Sequence, residues 1–137
     1  MSARIPAALA LVLLASIAAV ATSSATPPRP FTVTSTLAGK SVLPHRIRWI
    51  ARPSLPSIRV DQVDFLIDGR VRWTEHNDPY VYSDDDGHGR HAGYLVTSWL
   101  SPGLHRFTVR ARSGKRTATS TVVARVVAPP AVPAALA

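Results

Sequence analysis

The chain has no cysteine, one methionine and eight acidic residues against sixteen basic ones. Without thiols it has no disulfide, no thiolate metal centre and no thiol nucleophile, so packing alone must hold the fold. Helical periodicity is missing as well. After the first thirty residues, no window of a dozen residues carries an amphipathic helical pattern, which excludes a helix bundle. Long apolar runs are scarce: the extended one is AALALVLLASIAAVA at 7–21. The shortage of acid leaves a formal net charge of +8.

That apolar run decides the compartment. Arg4 precedes it, and small residues lead out of it to Thr26-Pro27-Pro28. A basic start, a short apolar middle and a small-residue exit form a secretory signal peptide, expected at 1–25. Ala19-Val20-Ala21 and Ser23-Ser24-Ala25 both fit the small-x-small cleavage rule. The run is short of the roughly 20 residues that span a bilayer. An uncleaved N-terminal membrane anchor is the alternative. No cysteine follows to carry a lipid, and no twin-Arg pair precedes, so general export is expected. A secreted or envelope-associated protein meets little nucleotide, and nucleic acid is not an expected partner. The positive charge then points to acidic envelope polymers, anionic headgroups or acidic polysaccharides. The plainer reading is that outward arginines keep a β-protein soluble and block edge pairing.

Thr26 to Pro30 (TPPRP) reads as a stiff linker. The segment 128–137 (APPAVPAALA) reads as a disordered Pro/Ala tail. Between them, at 31–127, the apolar period is two. Val63, Phe65 and Ile67 point one way while Asp64 and Asp68 point the other. Asp68-Gly69 is a tight-turn pair leading into Val71-Arg72-Trp73. A strand is expected at 47–51, another at 94–100 ending in Ser101-Pro102-Gly103, and a long one with Phe107, Val109 and Ala111 inward and Arg106, Arg110 and Arg112 outward. Ser113-Gly114-Lys115 then turns into a last strand rich in Thr and Val. About seven short strands with regular turn signals predict an all-β fold, a single antiparallel Ig-like β-sandwich; a closed barrel shares the same periodicity.

Four stretches carry a family resemblance: V-D-F-L-I-D-G-R at 63–70, D-P-Y at 78–80, V-T-S-W-L at 96–100 and S-P-G-L-H-R-F-T-V-R-A at 101–111. They resemble the bacterial immunoglobulin-like domains of secreted and wall-associated proteins. The resemblance implies a hairpin at the D-G pair, a Pro-Tyr anchor where the chain crosses sheets, and an L-x-x-G-x-H corner before the second-to-last strand. It further implies a spacer, adhesive or sugar-polymer-binding role, often beside an enzyme. The domain is expected to stand alone, which speaks against a spacer.

The densest polar stretch holds Glu75, His76, Asp78, Asp84, Asp85, Asp86, His88 and His91. Asp84, Asp85 and Asp86 before Gly87 supply the carboxylate oxygens that a hard cation such as Ca²⁺ needs, without completing an EF-hand loop. His76, His88 and His91 lack the common face that a helical zinc pair has. A small metal-dependent hydrolase using the segment 75–91 is the enzymatic alternative, with Glu75 paired to Asp78 or Asp84. No nucleophile motif supports a serine triad, and the chain is expected to be non-catalytic and to need no cofactor.

Aromatic side chains are the stronger lead, because sugar rings stack their C–H faces on aromatic planes. Trp49 and Trp99 are expected in the core, with Tyr80 structural. Trp73 and Tyr82 are expected to be at least partly exposed, and with Arg70, Arg72 and Glu75 they form a candidate glycan platform. The function expected is contact with an envelope polysaccharide or an extracellular protein.

Overall fold

A computed structural model describes residues 16, 18–84 and 92–130. Most of the expected signal segment and tail lies outside the described residues, as do Asp85, Asp86, His88 and His91. Two sheets face each other. The larger contains β2 (Val42–Leu43), β10 (Arg116–Val126), β9 (Gly103–Ser113), β5 (Gln62–Ile67) and β6 (Arg70–Glu75), in that order. The smaller contains β1 (Val33–Ser35), β4 (Ile50–Pro53) and β7 (Tyr80–Val81). A separate pair joins β3 (Arg46–Ile47) to β8 (Leu95–Val96). Every pairing is antiparallel except that of β2 with β10. This is the expected Ig-like β-sandwich.

The long strands follow directly from side-chain chemistry. Along β9, Phe107, Val109 and Ala111 are fully buried, while Arg106 and Arg112 face solvent. β9 pairs with β10 in unbroken register from Gly103–Val126 to Ser113–Arg116. The β5–β6 turn places Asp68 at φ 51° and Gly69 at φ 81°. Two successive positive φ values match the right-handed twist of the flanking strands, as in hairpin turns with Asp-Gly at the centre.

More strands form than the seven or so expected, because several are only two residues long. The strand expected at 47–51 splits at Arg48 and Trp49 into β3 and β4. The strand expected at 94–100 stops at Val96, and Thr97–Trp99 form a 3-10 turn.

Asp64 is buried on the outer face of the large sheet. Burial pushes its carboxyl up, but hydrogen bonds from Arg110, Thr74 and Gln62 hold it below the usual range. Arg110 grips one carboxylate oxygen through Nε and a terminal nitrogen, at 3.2 and 2.9 Å. Of the three arginines expected outside, Arg110 is therefore half-buried and neutralised.

Trp49 joins the two sheets. It is fully buried, and its indole N–H donates to Ser35 Oγ of β1 at 3.1 Å. Its ring meets Phe65 of β5 and Phe107 of β9 edge-on, at centroid distances of 5.0 and 5.6 Å, and stacks on Tyr82 at 5.4 Å. Removing so large a buried ring leaves a cavity, and Trp49→Ala is expected to cost about 3–5 kcal/mol. Chemical denaturation measures this, and a loss below about 1 kcal/mol would contradict the role assigned to Trp49.

Candidate functional site

Among the described residues, β6 is an edge strand of the large sheet, paired on one side only. Its pairing with β5 slips between Phe65 and Leu66: Phe65 faces Trp73, Leu66 faces Val71, and Arg72 is the extra residue. A bulge of this kind re-aims a side chain and disturbs the edge for further pairing. Here Arg72 lies with its Cζ over the Trp99 ring, 5.2 Å from the centroid. It is also close enough to Tyr82 for its charge to oppose the effect of burial, which raises that phenol.

Trp73 and Glu75, two residues apart on β6, share the inward side. The half-buried Trp73 donates its indole N–H to Glu75 Oε2 at 3.0 Å, and its ring lies 6.3 Å from Tyr82. Glu75 is buried, with its carboxylate turned to this indole. Tyr82 is half-buried, between Trp49 and Trp73. Of the predicted platform, the structure thus gathers Arg72, Trp73, Glu75 and Tyr82. Arg70 stands exposed at the hairpin end of the strand.

Trp99 corrects an expectation. It is 49% exposed rather than in the core. In the 3-10 turn Thr97 and Leu100, three apart, point inward, and Trp99 is left outside. Thr97 fixes the turn by donating its hydroxyl to the Pro44 carbonyl and its N–H to that of His45. The sequence signal was the change of spacing from two (Leu95, Thr97) to three (Thr97, Leu100).

A second exposed pairing of ring and guanidinium was not anticipated. Arg46 and Arg48 lie 3.7 and 5.1 Å from the Tyr94 ring centroid. A hydrogen bond from Arg48 and the two positive charges hold the Tyr94 phenol below its ordinary value. Asp84, of the proposed cation loop, is exposed near Gly93. Among the described residues, no three His, Asp or Glu side chains form a group able to hold a metal ion.

Some sequence-predicted residues are structural. Tyr80 is buried, and its phenol is raised by burial and by Asp78. His105 closes the corner after Gly103. Its Nδ1 lies 2.6 Å from Asp68 Oδ2 and its Nε2 lies 2.6 Å from the Ser101 carbonyl. Both neighbours accept, so only the imidazolium, which donates from both nitrogens, satisfies them together. Asp68 Oδ1 also accepts the Arg106 N–H, tying the β5–β6 turn to β9.

Comparison with one solved structure supports the fold. The endo-beta-1,4-mannanase of Thermotoga petrophila matches with a TM-score of 0.56 and 16% identity, covering 74% of this chain and 21% of the enzyme's. This chain thus spans about a fifth of that enzyme's length. Fibronectin(III)-like modules of Clostridium thermocellum CbhA match with a TM-score of 0.48 and 21% identity, over 72% of this chain and 46% of theirs. No protein-family model matches the chain, and no curated protein sequence does.

The Asp68–His105 pair makes stability pH-dependent. The hydrogen bonds to Asp68 and to the Ser101 carbonyl raise His105 above its usual 6.5. The Arg106 N–H, with His105, lowers Asp68 below its usual 3.8. The histidine's contribution is complete below 6.5 and is lost as pH rises through its raised value. The aspartate's is present above 3.8 and is lost as pH falls through its lowered value. Melting curves from about pH 5 to about pH 9 should show the wild type losing more stability than His105→Gln. Parallel curves would contradict the charged corner.

Proposed function

We propose that the protein is a secreted, non-catalytic Ig-like module that contacts a cell-envelope polysaccharide. The observation that carries this reading is the surface at the β6 edge. There the exposed Arg72 guanidinium lies over one face of a half-exposed Trp99, and the next residue along β6, Trp73, neighbours Tyr82. Exposed indoles offer flat faces to the C–H sides of sugar rings, and a neighbouring guanidinium supplies several N–H donors for hydroxyl or carboxylate oxygens.

The fold adds support of a general kind, because a similar domain occurs within the mannanase chain. The motifs at 63–70, 78–80 and 96–111 remain the basis for relating the chain to bacterial immunoglobulin-like domains. The apolar segment 7–21 remains the basis for secretion. Glu75, the acid that a hydrolase would need from this region, is buried against Trp73, which favours a binding role.

The test is co-sedimentation of the purified protein with isolated bacterial cell walls at low and high salt. Stacking on a glycan predicts binding that survives high salt and falls about tenfold in Trp99→Ala, on the scale of one lost aromatic contact. Binding lost at high salt would show that net charge alone was responsible. No binding at either salt would overturn the polysaccharide reading and favour a protein partner.

A further inference from the structure

A cleft of about 500 Å³ lies where residues 28–32 enter the domain. Its volume falls within the roughly 300–1,000 Å³ range of small-ligand sites. Its walls come from three distant segments: Arg29 with its flanking prolines, Leu55 and Arg59 after β4, and Arg116 at the start of β10.

The entering segment is fastened to the domain. Arg116 donates to the Arg29 carbonyl at 3.3 Å, and its guanidinium lies 5.5 Å from the Phe31 ring centroid. Thr32 and Ser54 are joined twice. The Thr32 N–H donates to Ser54 Oγ at 2.9 Å, and the Ser54 N–H donates to the Thr32 carbonyl at 2.8 Å. The stretch expected to act only as a linker therefore forms one wall of a concave site. Its prolines restrict that wall before any ligand arrives.

The charge here is one-sided. Among the described residues, three arginines line the cleft and no carboxylate does. None of the three makes an ion pair with an acid among the described residues. Arg110 and Arg112, by contrast, lie beside the buried Asp64. Three like charges around one hollow repel each other until an anion enters, and a guanidinium binds a carboxylate through two parallel N–H donors. Pro28, Pro30 and Leu55 supply the apolar surface that a sugar ring's C–H faces require.

We propose that this cleft is a second binding site, for an anionic saccharide whose carboxylate is held by Arg29, Arg59 and Arg116. The inference rests on the extracellular glycan-binding reading above, but it uses none of the residues at the β6 edge.

The test is calorimetric titration of the purified protein with trigalacturonate, neutral trigalactose and inorganic phosphate. The variants are Arg59→Gln, Arg116→Gln, Trp99→Ala and Arg106→Gln, the last an equal charge change outside the cleft. Thermal melting first establishes that each variant is folded. Trigalacturonate should bind, and Arg59→Gln and Arg116→Gln should each weaken it about tenfold, as for one lost charge-assisted hydrogen bond. Arg106→Gln should leave it unchanged. Equal weakening by Arg106→Gln would reduce the effect to net charge, and weakening by Trp99→Ala with none by Arg59→Gln or Arg116→Gln would move the site to the β6 edge. Phosphate binding as tightly as trigalacturonate would remove the sugar from the proposal, and equal binding of trigalactose would remove the charge. No binding of trigalacturonate would overturn the site while leaving the cell-wall result at β6 to stand or fall separately.

Discussion

The sandwich depends on Trp49. With no cysteine, nothing covalent joins the sheets; a shared apolar core does, and Trp49 is a large, fully buried member that touches both sheets. Its N–H reaches Ser35 on one sheet while its ring meets Phe65 and Phe107 on the other. Its flat face stacks on Tyr82, which in turn touches Trp73. The aromatic chain thus runs from the core to Trp73 on β6, next to the Arg72 that lies over Trp99.

The arginines do different work in different places, and net charge alone hides this. Arg110 and Arg112 lie beside a buried aspartate and belong to the architecture of the outer sheet face. Arg72, Arg46 and Arg48 lie on aromatic rings, and Arg48 also hydrogen-bonds the Tyr94 phenol. Arg29, Arg59 and Arg116 surround a hollow. Outward arginines as a simple solubility device describe only part of this set.

The sequence made the long strands legible because each offers enough residues for a period of two to emerge. The inward rows Val63, Phe65, Ile67 and Phe107, Val109, Ala111 are buried as the alternation requires. Asp68-Gly69 was legible because its turn demands particular backbone angles. Two-residue strands such as β2 and β7 carry no period and were invisible, while β3 and β8 were expected only as parts of longer strands at 47–51 and 94–100. Trp99 was misplaced because a three-residue 3-10 turn interrupts the alternation just where a strand seemed to continue. The surface at β6 was legible in its residue types, but not in its geometry. A bulge turns Arg72 toward Trp99, and that depends on a register slip between two strands. The docking of Arg29 was equally hidden, since its partner Arg116 is distant along the chain.

The central claim is that a buried tryptophan supports a glycan-binding face made by the other two. Side-chain N–H resonances distinguish all three indoles in one NMR experiment, recorded while soluble cell-wall oligosaccharides are added. The account predicts that the Trp99 and Trp73 signals shift with added saccharide while that of Trp49, sealed against Ser35, stays in place. Indole signals that all remain fixed, or a shift confined to Trp49, would contradict it.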